Sequence, residues 1–365
     1  MENYNNEILR GNESNDKHKD NKTLKMDDSG RVFFWDNLKV MLIVLVVVGH
    51  SVDFYTSDSL MMRDIYIFIY TFHMPLFIFV SGYFSKTVVE GKHLSIEKVF
   101  SFLTLYFLMK FCFFILAKYI IGNSELDFKF LVEAGIPWYL LAMSVWFCFT
   151  YILKDIKPLF VIVISVFIGI MAGYYKVVSV KDLFSLSRIL VFFPYFILGY
   201  YFKQDHLIKI LKCSWLKWVS LICITALFII ILLYGEEMYV FRGFLTGRNS
   251  FLSLDRPLHG GFYRLMFYGL STILSLAIIY ITPKCKLFIT RFGTRTLQVY
   301  FIHHLVLSTY HHYKLNDYII EMFPEHWKIV YLLLAVMLAL VLSLKIFEYP
   351  FTKIMNIKFK KILRE

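Results

Sequence analysis

The feature that most restricts the fold of this chain is a run of ten apolar stretches, at residues 38–57, 64–84, 99–121, 137–153, 158–175, 188–202, 215–234, 262–282, 295–313 and 329–348. Coiled as helices, stretches of this length match the ~30 Å hydrocarbon layer of a bilayer. They lack the period-two alternation of a membrane barrel, so each backbone donor and acceptor has to be satisfied within a helix. The expected fold is all-α, a polytopic bundle of about ten transmembrane helices. With 58% hydrophobic and only 18% charged residues, the chain carries more apolar surface than a soluble domain buries.

A formal net charge of +12 would suit a nucleic-acid binder, but its distribution argues against one. With both termini placed in the cytoplasm, 24 of the 39 Lys and Arg fall on the inner side and 11 on the outer. This is the positive-inside asymmetry. The expected partner is the lipid bilayer, with its anionic headgroups, and not nucleic acid. The five cysteines form no CxxC pair and accompany no histidine at zinc-ligand spacing, so they read as small apolar residues and no metal is expected. Residues 1–32 are polar and read as a disordered cytoplasmic tail; residues 33–351 form the membrane domain and 352–365 a basic cytoplasmic tail. Two outer loops, 235–261 and 314–328, mix charge with aromatic residues and suggest an ordered lid or binding surface.

Ionisable side chains inside lipid-embedded helices are costly unless a cavity or partner receives them, which makes them candidates for function. His50 lies in the first apolar stretch and His73 in the second, at comparable depth, so the two imidazoles can meet across an antiparallel hairpin. His303 sits near mid-membrane in the ninth stretch. Lys39 is eleven residues before His50, about 16 Å lower on an ideal helix and within about 20° of the same face. A neutral imidazole is a proton acceptor poised near physiological pH, suited to take the proton from a hydroxyl as that oxygen attacks a thioester. Asp53, three residues beyond His50, is placed to orient the ring, although a solvated interfacial carboxylate is the plainer reading. Pro75, beside His73, opens the helix backbone there, and Ser81-Gly82 permits close helix approach.

Six fragments follow one another in the chain: WDNLKVMLIVLVVVGHS at the first helix, FHMPLFIFVSGYF at the second, WYLLAMSVW at 138–146, RILVFFPYFILGYYF at 188–202, GTRTLQVYFIHHLVL at 293–307 and EYPFTKI at 348–354. In order and identity they resemble the membrane-bound acyltransferase 3 family, in particular its fucose 4-O-acetylase-like O-acetyltransferase branch, over about residues 33–352. The resemblance implies a multi-pass protein of a bacterial plasma membrane that transfers an acyl group, usually acetyl from cytoplasmic acetyl-CoA, to a hydroxyl of a cell-surface or lipid-linked saccharide. It makes His50 the catalytic imidazole, acting as general base or as a nucleophile that carries the acetyl group, and Lys39 a basic residue that handles the donor.

The paired arginines that many members carry at the start of the third helix are replaced here by Lys98 and Ser101. Lys98 attracts phosphate as a point charge without the arginine fork, and Arg291 and Arg295 are candidate substitutes. Arg188, Trp138, Tyr139 and Tyr300 lie within the resembling fragments and are retained as substrate-binding candidates with His303, although Trp and Tyr at helix ends commonly serve as interfacial anchors. The competing class is a transporter or flippase that relays protons through His and Lys; the internal repeat expected of one is not seen between the two halves.

Overall fold

The computed structural model describes residues 24–26, 32–89, 93–123, 125–128, 135–174 and 185–357, and every extended element among them is helical. The tail assigned to residues 1–32 lies outside the described residues except for 24–26 and 32. There Leu24 is buried and Met26 bridges to Val32, so this end of the tail packs on the bundle.

Among the described residues five helices are long and apolar enough to cross a membrane: α1 (Phe33–Asp53), α2 (Leu60–Phe84), α3 (Ile96–Ile115, continued by a π-turn over Leu116–Ile120), and the two later ones, Trp215–Tyr239 and Gly260–Ile281. Shorter apolar helices are α4 (Trp138–Leu153), α5 (Pro158–Met171), α6 (Leu186–Tyr201) and, near the end, Trp327–Leu342. In chain order the elements after α6 are α7 (Gln204–Lys212), α8 (Trp215–Tyr239), α9 (Arg242–Thr246), α10 (Gly260–Ile281), α11 (Thr296–His312), α12 (Leu315–Met322), α13 (Trp327–Leu342) and α14 (Tyr349–Met355). In the described residues each apolar stretch overlaps a helix, though only the five named first are long enough to cross a membrane, and the boundaries follow local chemistry. Ser59 caps α2 by accepting from the Met62 amide, and Pro158 starts α5 where no amide donor is needed.

Helix α2 is the centre of the bundle, with 72% of its apolar window buried, whereas α8 is peripheral with 17%. The outward faces of α5 and α8 present Leu159, Phe160, Val163, Phe167, Ile222, Phe228, Leu232 and Leu233, a surface that suits acyl chains and not water. Helices α2 and α6 cross through a reciprocal glycine contact. A Cβ added at Gly82 would land on the Phe196 carbonyl, and one added at Gly199 on the Phe79 carbonyl. Small residues are what let two membrane helices approach backbone to backbone. Helix α1 packs between α2, α11 and α13.

Polar side chains fasten the end of the bundle at which α1 begins. Asn37 donates to the carbonyls of Pro283 (2.9 Å) and Cys285 (2.8 Å) and accepts from the Thr290 hydroxyl (2.6 Å). Gln298 donates to the Leu342 and Leu344 carbonyls at 2.6 and 2.8 Å, serving backbone that the end of α13 leaves open. Of the two loops singled out above, 235–261 is partly helical and otherwise turns and irregular backbone, and 314–328 is mostly helical. The first contains the end of α8, then α9, packed through Phe241, Phe244 and Phe251; the second forms α12.

Candidate active site

Helix α1 carries His50 to its last turn, and α11 brings His303 and His304 against it, with ring centroids 5.3 and 5.4 Å from that of His50. From α2, the Tyr70 hydroxyl lies 3.4 Å from His50 Nδ1. Three helices thus converge on one imidazole. His73 does not pair directly with it. The Tyr70 ring touches both, at 6.3 Å from His50 and 4.7 Å from His73.

The imidazoles differ in how they are held. His73 donates from Nδ1 to the Ile69 carbonyl (2.8 Å) and His303 from Nδ1 to the Val299 carbonyl (2.9 Å). A carbonyl only accepts, so both rings carry their proton on Nδ1 and are tied to their own helices. Both are fully buried. His50 is partly exposed and faces a cavity of about 520 Å³.

That cavity opens where α1 and α11 end. His50 and His304 stand in its wall, Ser308, His311 and His312 continue along α11, and Asp53, Phe54 and Arg242 line it nearer the surface. His304 Nδ1 is 3.0 Å from the Ser308 hydroxyl. Arg242 is placed by Tyr239, whose ring lies under its guanidinium at 5.0 Å and whose hydroxyl accepts from it. Tyr239 is fixed in turn by its own bond to Thr56 (2.8 Å), and the Arg63 guanidinium lies over its ring at 5.1 Å. The site therefore offers a proton acceptor deep in the wall, and a carboxylate, a guanidinium and several imidazoles toward the opening. Among the described residues no group of three or more His, Cys, Asp or Glu is arranged to hold a metal ion.

The other candidates from the sequence are placed as follows. Asp53 lines the same cavity one turn beyond His50, with Arg242 and Arg248 as its nearby cations. The recorded partner of His50 Nδ1 is Tyr70. Away from the cavity wall, a contact chain runs from His303 to Tyr300 (6.1 Å) and Tyr139 (5.1 Å between the tyrosine rings). The Tyr300 hydroxyl donates to the Ile136 carbonyl, and the Tyr139 hydroxyl meets Ser81 at 2.7 Å. Arg188 lies over the Trp138 ring at 5.3 Å and donates to the Gly135 carbonyl.

The four basic donor candidates each have a partner within the protein, and the Lys39–Asp36 pair lies against the 291–295 stretch, since a Cβ added at Gly293 would fall 2.6 Å from Asp36. Lys39 pairs with Asp36 (3.0 Å) and Lys98 donates to the Met355 carbonyl (2.7 Å). Arg295 pairs with Glu348 (2.9 Å), and Arg291 stacks on Phe288 at 4.0 Å. Sequence reasoning did not single out Tyr70, Arg242 or Ser308. A signal existed for the last: His304, Ser308 and His311 recur at helical spacing and share one face.

The bundle thus places an imidazole at the wall of an open cavity beside the ends of α1 and α11. The chain belongs to the acyltransferase 3 family: the model of its acyltransferase domain matches residues 32–348. Among curated proteins the chain is 23% identical over 329 residues to the nodulation protein NolL of Mesorhizobium japonicum, covering 82% of this chain and 81% of that one. No solved structure is significantly similar to it. The protein is thus a membrane acyltransferase by family.

Proposed function

We propose that this protein moves an acetyl group from cytoplasmic acetyl-CoA to a hydroxyl of a cell-surface or lipid-linked saccharide, with His50 as the catalytic imidazole. The observation that carries the reading is the contrast among the buried histidines: His73 and His303 are bonded to their own helices, whereas His50 has its Nδ1 beside a neighbouring helix and stands at the cavity wall. His50 Nε2 accepts the hydroxyl proton as that oxygen attacks the thioester carbon. The collapsing adduct expels the thiolate, and the imidazolium returns the proton to sulfur. On this reading the chain crosses the membrane ten times with both termini cytoplasmic, so that Lys39 lies toward the donor's side and the cavity toward the acceptor's. Residues 33–351 then form the acyltransferase domain of a bacterial plasma-membrane protein.

Mass spectrometry of surface glycans from cells with and without the gene is expected to show O-acetyl esters only in its presence; unchanged glycans overturn the saccharide assignment. Arg242, at the opening, is expected to act in acceptor binding alone. Arg242→Ala should raise the acceptor KM about tenfold, roughly 1.4 kcal/mol, with kcat and the donor KM unchanged in steady-state assays.

A further inference from the structure

We infer that Tyr70 is the positioning residue for His50, holding the imidazole so that Nε2 faces the cavity; this rests on His50 being the catalytic imidazole. The hydroxyl of Tyr70 is 3.4 Å from His50 Nδ1, and the ring is confined on three sides. It stacks on Tyr66 at 3.8 Å with the planes 20° apart, and it meets His73 edge-on at 4.7 Å. On the third side is Gly49, where an added Cβ would lie 3.2 Å from Tyr70 Cε2. The residue preceding the histidine thus lacks a side chain where the tyrosine ring comes in.

A base needs a lone pair on one ring nitrogen and its proton on the other. With the Tyr70 oxygen as acceptor, the proton sits on Nδ1 and Nε2 is left free. The same contact persists when the ring becomes an imidazolium. Without it, a helical histidine has the alternative that His73 and His303 both adopt, turning Nδ1 onto the carbonyl four residues back. A phenol does this without adding a fixed charge to the bundle interior, where an unpaired carboxylate would be costly.

The test is steady-state transfer from acetyl-CoA by purified protein in lipid nanodiscs, with melting temperatures recorded for each variant. Tyr70→Phe is expected to lower kcat about 10- to 100-fold, the scale of a slightly misplaced reacting group, with both KM values unchanged. In a His50→Ala background the same substitution should have no further effect, and Gly49→Ala combined with Tyr70→Phe should fall no lower than Tyr70→Phe alone. Tyr268→Phe, which removes a buried hydroxyl bonded to the Val191 carbonyl away from His50, is the control and should keep kcat.

Should Tyr70→Phe unfold the protein where Tyr268→Phe does not, Gly49→Ala carries the test, since it shifts the ring and retains the hydroxyl. Full kcat in Tyr70→Phe alongside loss in His50→Ala overturns the inference about Tyr70. An equal loss from Tyr70→Phe with and without His50 also overturns it, marking a structural role. Full activity in His50→Ala instead removes the catalytic reading itself.

Discussion

His50→Ala is expected to abolish acyl transfer, with a loss of about 10³-fold or more, while the protein folds and binds its substrates. The side chain is partly exposed at a cavity wall, so truncation enlarges existing space and leaves no sealed void. The expected separation from its neighbours is as informative as the loss. His73→Ala removes a fully buried ring bonded to its own helix and should lower the melting temperature more than it lowers kcat. The measurement is single-turnover transfer of labelled acetyl, with the melting curve recorded on the same samples. Activity that survives His50→Ala places the chemistry elsewhere.

The second large effect is expected from the α2–α6 crossing. Gly82→Leu or Gly199→Leu should prevent recovery of folded protein, because each new side chain meets backbone carbonyl of the opposite helix and not a side chain that can swing aside. Overpacking a core commonly costs about 1–3 kcal/mol where side chains can rearrange. Two backbones in contact have no such freedom, and a cost above about 4 kcal/mol is a large share of a domain's whole stability. Yield after size-exclusion chromatography in mild detergent, and thermal melting of whatever survives, read the effect. Gly269→Leu is the comparison, since an added Cβ there meets nothing within 4 Å and wild-type yield is expected.

How far the site could be read from the chain follows from the kind of signal each residue gave. His50 stood out because a titratable ring in an apolar stretch is conspicuous by itself, and the Ser81-Gly82 pair because small residues in a membrane helix permit close contact. Tyr70 gave no such signal, since one tyrosine among 25 in an aromatic-rich bundle looks like packing. Asp53, three residues beyond His50, lines the same cavity. The hydroxyl beside the ring's Nδ1 comes from α2, since α2 packs along α1 and Gly49 leaves room for a ring. Arg295 shows the same limit: nothing in its chain position indicates that Glu348, 53 residues away, pairs with it at 2.9 Å.

The all-helical class and the placement of the apolar helices were legible in local composition, because the length of an apolar run and the cost of charge in hydrocarbon act residue by residue. Which imidazoles reach the cavity, which hydroxyl lies beside His50 and which arginine lines the opening depended on how α1, α2 and α11 cross. Those crossings arise from side chains distant in the sequence fitting one another, and periodicity within a single helix carries no record of its neighbours.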